Sequence, residues 1–168
     1  QTLSLIFKPF PQKRFIGFKE IEKLKFTGIY NNDWDSTYAL ALFLFTTLSR
    51  EQARSLIEWI KNENIEVRGF NRMGVLELEY ENFLKNVKVD PIRDPEKYAR
   101  EVCEKKGTCD ELKEFIEFIG KPLNVRESFL AKAFDAIYYG KELFKKIYNM
   151  EPPVNVKSGN IELERLYI

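Results

Sequence analysis

The spacing of apolar residues changes several times along this chain, and each change predicts an element. From Tyr38 to Phe45 the run Tyr-Ala-Leu-Ala-Leu-Phe-Leu-Phe is apolar on nearly every helical face, which predicts a helix enclosed by a domain core. Asp35 or Ser36 is expected to cap it, and it should run to about Thr46. Ser49 and Gln52 have capping-box spacing for the next helix, whose stripe is Ala53, Leu56, Ile57 and Ile60. Asp94-Pro95 predicts a further helix start, with Pro at the first helical position. Thr108 with Glu111 predicts another capping box, ahead of a stripe at Leu112, Phe115, Ile116 and Ile119. Asn124 with Glu127 is read as the start of one long helix to about Tyr148, with Leu130, Ala133, Phe134, Ile137, Phe144, Ile147 and Tyr148 inward and Gly140 interrupting it.

Strand patterns are fewer. Leu3–Phe7 is short and apolar and is stopped by Pro9 and Pro11. Ile65–Val67 and the alternating Leu76-Glu-Leu-Glu-Tyr80 read as a hairpin around the loop Arg68–Gly74. Ile161, Leu163, Arg165 and Tyr167 suggest a terminal strand. The expected fold class is therefore α+β, mainly α: a helical body with a small antiparallel β-hairpin or sheet. The expected organisation is a single domain over 1–168, with two lobes of about 1–88 and 95–168 as the alternative, divided at Asp90-Pro-Ile-Arg-Asp-Pro95.

Composition narrows the chemistry. The chain has 168 residues, a hydrophobic share of 44% and a net charge of +1, so any nucleic-acid contact must be a local patch. The charged share of 32%, mostly Lys and Glu, matches the surface of a thermophile's protein. There is no His, which excludes a Ser-His-Asp triad and a His base or metal ligand. Two Cys are too few for a four-Cys iron–sulfur cluster. Cys103 and Cys109 are read as reduced, packed thiols or as a local disulfide. No run approaches the ~20 apolar residues of a membrane span, and the N-terminus lacks the pattern of a signal peptide. The protein is expected to be soluble and cytoplasmic.

Three segments carry candidate chemistry. Residues 8–25 hold six basic side chains against two acidic ones, with Phe10, Phe15 and Phe18 among them. This suits contact with a nucleic-acid backbone and bases or, more simply, a surface arm packed through its Phe side chains. Asn32, Trp34 and Ser36, at the N-terminus of the apolar helix, suit a nucleotide or phosphate held by free N–H groups. Arg68 and Arg72 suit bidentate phosphate contacts, with Asn71 beside them for a base; a solvated hairpin tip is the competing reading. Asp33-x-Asp35 is compatible with a metal-dependent nuclease or nucleotidyl transferase, but Asp at a helix start is commonly a cap. Trp59 and Tyr138-Tyr139 are read as packing. No phosphate-loop or nucleophile motif accompanies them, so no catalytic or metal-ligating residue is assigned.

The run Asn32 to Ala53, with Tyr38, Leu40, Leu42 and Leu48-Ser-Arg-Glu-Gln-Ala53, followed by Val67-Arg68, Phe70 and Gly74, resembles the C-terminal domain of the large subunit of archaeal and eukaryotic DNA primase. That domain holds an iron–sulfur cluster on four Cys; this chain has two Cys. Basic side chains that precede the family's first helix are replaced here by Asn32, Asp33 and Ser36. What remains resembles the non-catalytic third subunit of archaeal eukaryotic-type primases, a cluster-free relative of that domain. The resemblance implies an accessory role in starting RNA primers during DNA replication, with no catalysis by this chain. It implies partners, namely the catalytic small subunit and the large subunit of the primase, single-stranded DNA template and RNA primer. It also implies a nucleoside triphosphate as ligand, with Mg or Mn in the catalytic partner and no cofactor here. Asn32, Trp34, Ser36, Arg68, Asn71 and Arg72 would form the nucleotide site. A ligand-free interaction domain is the remaining alternative.

Overall fold

Every residue from Ser36 to Thr47 is buried, and the rest of the fold is arranged around that helix. A computed structural model describes residues 2–7, 22, 25, 28, 32–62, 94–153, 156 and 159. The described elements are helices α1 (Thr2–Ile6), α2 (Asp33–Thr47), α3 (Arg50–Asn62), α4 (Pro95–Lys106), α5 (Cys109–Ile119), α6 (Phe129–Tyr139) and α7 (Lys141–Tyr148). The protein is thus mostly helical, and no strand occurs among the described residues. The expected hairpin over 65–80 and the terminal strand over 161–167 lie outside them, as do Arg68, Asn71 and Arg72 and most of the basic segment 8–25.

Helix α2 packs against α1, α4 and α6, while α5 packs on α3, α4 and α6. The main core joins α2 residues such as Leu42 and Phe45 to Phe7, Leu56, Phe115 and Leu130. Phe115 is its hub, stacked on Phe45 at 4.7 Å between ring centroids and meeting Phe7 at 5.6 Å. A helix buried on all sides must satisfy its polar groups internally. The hydroxyls of Thr37, Thr46 and Thr47 donate to the carbonyls of Asp33, Phe43 and Leu44. The Tyr38 hydroxyl donates to Glu96 Oε1 of α4 at 2.8 Å. Lys106 Nζ reaches back from the end of α4 to the carbonyls of Thr46 and Leu48, at 2.6 and 3.2 Å. It places a cation where the α2 dipole is negative and the last carbonyls lack helical partners.

The helix starts show which signals were sufficient. The Ser49–Gln52 box is present in both directions, Ser49 N–H donating to Gln52 Oε1 and Gln52 N–H to Ser49 Oγ. Asp94 caps α4 by accepting from Lys97 N–H, and Pro95 is in the first turn. Three other expectations are corrected. Leu3–Phe7 is helical, not extended: Phe7 N–H donates to the Leu3 carbonyl, and a short apolar run does not distinguish the two by period. The cap of α2 is Asn32, whose Oδ1 accepts from Asp35 N–H at 2.8 Å; Asp35 and Ser36 lie inside the first turn. Thr108 holds the N-cap position of α5 but makes no side-chain cap bond, and its N–H donates to the Cys103 carbonyl.

The predicted long helix to Tyr148 is two helices. Asn124 only closes a turn onto Glu127 N–H, and Ser128 caps α6 through Ala131 N–H. Gly140, at φ 79° and ψ 167°, ends α6 and starts α7, a conformation that costs little without a Cβ. The resulting bend leaves Ile147 48% exposed rather than inward. It also lets Phe144 form a small second core with Val125 and Ala136, against which Trp34, Tyr139 and Tyr148 pack. The two Cys are free thiols, Cys103 buried and Cys109 exposed. No helix among the described residues is long and apolar enough to cross a membrane.

Candidate functional site

An open cleft of about 580 Å³ lies where the N-terminus of α2 meets α6 and the end of α7. Asn32, Asp33 and Trp34 line it from α2, Phe134, Asp135, Tyr138 and Tyr139 from α6, and Tyr148 from α7. The volume falls within the range of small-molecule sites. Because α2 is enclosed by the core beyond its first turn, its cap and Trp34 are presented from a fixed support.

One carboxylate organises the walls. Asp135 is 6% exposed; its Oδ1 accepts from Trp34 Nε1 at 2.8 Å and its Oδ2 from the Tyr148 hydroxyl at 2.5 Å. It thereby ties α2, α6 and α7 together across the cleft, and meets the requirement that a buried charge be hydrogen-bonded. Burial of the Tyr148 phenol, and then its bond to Asp135, raise its pKa well above the usual tyrosine value. At neutral pH Tyr148 is therefore a hydrogen-bond donor.

At the mouth, the Asp33 carboxylate pairs with Lys25 Nζ at 2.8 Å. Asp35 Oδ2 accepts from Asn32 Nδ2 at 2.6 Å, so the Asn32 amide serves the cap through both of its ends. Asp33 and Asp35 are two residues apart on a helix, about 200° around its axis. One metal ion would not be chelated by both without unwinding that turn. Among the described residues no group of three or more His, Cys, Asp or Glu side chains has metal-binding geometry.

Of the sequence-derived site residues, the structure brings Asn32 and Trp34 into the cleft. Ser36 is buried, donates to the Asn32 carbonyl at 3.0 Å and is absent from the lining. Arg68, Asn71 and Arg72 lie outside the described residues. Tyr138 and Tyr139, read from sequence as packing, are cleft walls. Trp59 packs against the main core. Asp135, Phe134 and Tyr148 were missed. A signal for Asp135 was present: a lone carboxylate within Phe-Leu-Ala-Lys-Ala-Phe-Asp-Ala-Ile-Tyr-Tyr, where helical spacing puts it on one face with Tyr138 and Tyr139.

Searches with family models, among curated proteins and among solved structures give no match to this chain.

Proposed function

We propose that this protein is a non-catalytic accessory member of a DNA-dependent RNA primase, and that its cleft holds the initiating nucleotide or the 5′ end of the primer. The observation that carries the reading is the aromatic cleft at the α2 N-terminus, in which Asn32 and Trp34 face Tyr138, Tyr139 and Tyr148. Aromatic faces stack bases with little regard to sequence, and a supported helix N-terminus accepts phosphate oxygens. Lys25, paired with Asp33, supplies a nearby cation. Starting a chain from two free nucleotides is chiefly a problem of holding them together, which a binding domain solves without catalytic groups of its own.

In this reading the carboxylates and the Mg or Mn ions belong to the catalytic small subunit, while the large subunit and single-stranded template complete the assembly. The chain binds no iron–sulfur cluster and acts in the cytoplasm. The domain would be like the C-terminal one of the primase large subunit, with a β-hairpin carrying Arg68, Asn71 and Arg72. The hairpin would bring its guanidinium groups to the triphosphate.

The test is a reconstituted primase assay that separates de novo initiation from extension of a supplied primer. Trp34→Ala, Arg68→Ala and Arg72→Ala should each lower initiation while extension stays near wild type. Unchanged initiation in all three variants, or failure of the chain to associate with a two-subunit primase, would refute the assignment.

A further inference from the structure

The cleft described above contains two carboxylates, Asp33 and Asp135, and no Lys or Arg among its described lining residues. Asp33 is offset by Lys25, but Asp135 has no ion pair among the described residues, so its part of the cleft repels a triphosphate at short range. It suits the other end of a nucleotide. We propose that the cleft is a base subsite that selects an amino-purine, guanine above all, and leaves the phosphates outside, toward Lys25. The inference rests on the nucleotide reading and deepens it.

The selection follows from what the polar lining can accept. The aromatic walls hold any base, because every base has a π face. A carboxylate accepts hydrogen bonds and donates none. Asp135 uses one lone pair on each oxygen for Trp34 and Tyr148, and each oxygen carries a second. Both of its existing partners donate, so the carboxylate is held in its accepting role when a ligand enters. Guanine presents adjacent N1–H and N2–H donors, a fork that one carboxylate takes in two parallel hydrogen bonds. Adenine and cytosine present one amine beside an acceptor nitrogen. Uracil presents one N–H between two carbonyls, which would face carboxylate oxygens. The lining thus ranks guanine first and uracil last.

The experiment is a calorimetric titration of the full-length chain with guanosine, inosine, uridine and GTP. Inosine keeps the purine ring, N1–H and O6 of guanosine and lacks only the exocyclic amine, so their ratio isolates one hydrogen bond to a carboxylate. Guanosine should bind about tenfold more tightly than inosine, and uridine more weakly than either. GTP should bind no more weakly than guanosine, since its phosphates lie outside the subsite, toward Lys25. Asp135→Asn, with its fold checked by circular dichroism, should bring the guanosine and inosine constants together; a folded variant that keeps the ratio would remove Asp135 from the proposal. Should that variant not fold, the wild-type series decides alone. Equal or inverted constants for guanosine and inosine overturn the selection and leave nucleotide binding standing. No heat with any nucleoside or with GTP overturns both.

Discussion

Replacing Asp135 by Ala is the most direct test of how the cleft is held open. The change removes the acceptor of two hydrogen bonds, from Trp34 Nε1 at 2.8 Å and from the Tyr148 hydroxyl at 2.5 Å. Bonds to a charged partner contribute about 1.5–3 kcal/mol each; both donors border an open cleft where water replaces part of the loss, so the lower end applies and the pair comes to about 3 kcal/mol. Ala is the better helix former by roughly 0.6 kcal/mol. The net destabilisation should be about 2 kcal/mol, lowering the melting temperature by roughly 4–8 °C for a chain of this size. Urea denaturation gives the free energy, and the emission of Trp34 in a Trp59→Phe background reports the local change. Asp135→Asn should lose about half as much, since one amide oxygen remains to accept. In a double-mutant cycle Asp135→Ala and Tyr148→Phe should couple by about 1 kcal/mol. A loss below ~0.5 kcal/mol for Asp135→Ala, with unchanged Trp34 emission, would refute the view that this carboxylate binds the three helices together.

Three other outcomes follow from the same structure. Burial alone would raise the Glu96 carboxyl, but the hydrogen bond from Tyr38 and the pairing with Lys121 and Arg100 outweigh it and hold its pKa below the usual glutamate value. A lowered folded pKa means stability that is present above about pH 4.3 and lost as pH falls through the folded value, so Glu96→Gln should flatten the acid side of the stability curve measured by urea melts. Burial, then the bond to Glu96, push the Tyr38 phenol well above its normal value, and Tyr148 is raised in the same way by burial and Asp135. Their stability contribution is present below about pH 10 and is lost as pH rises beyond it; in an absorbance titration the steps of these two among the eight tyrosines should coincide with alkaline unfolding, and Tyr38→Phe should remove one. Phe115→Ala, in the centre of the stack with Phe45 and Phe7, should cost about 3–5 kcal/mol in chemical denaturation.

The parts of this structure legible in the sequence are those written in local codes. Tyr38–Phe45 is apolar at every position, and only enclosure on all sides satisfies that pattern. Ser49–Gln52 and Asp94-Pro95 close hydrogen bonds within a single turn, so residue identity is enough. Local codes failed where two neighbouring residues were equally able to act. Asn32 and Asp35 both suit a helix cap, and Asn32 prevails with backbone at φ −115° and ψ 159°, leaving Asp35 to favour the first-turn dipole. The α6–α7 break was marked by Gly140, yet one periodic stripe ran through it, and the stripe made Ile147 look buried. The cleft was half visible. Asn32 and Trp34 stood out because they open an apolar helix, whereas Asp135 and Tyr148 are linked to them only through tertiary packing, which no short window of sequence contains.

Gly159 shows how closely that packing is fitted. A Cβ there would clash with the Tyr139 carbonyl carbon and Gly140 N, both backbone atoms that cannot swing aside. Gly159 therefore rests directly on the α6–α7 bend.

The Trp34–Asp135 bond spans 101 positions, and this separation bears on the order of folding. Contacts between distant residues must overcome the entropy of closing the intervening loop before they contribute anything. The α4–α5 pair, joined by a short turn, is free to assemble early. The cleft walls meet only once α2 has been brought to the far end of the chain. The Trp34 signal should accordingly appear in the slowest refolding phase, after most of the helix signal has recovered.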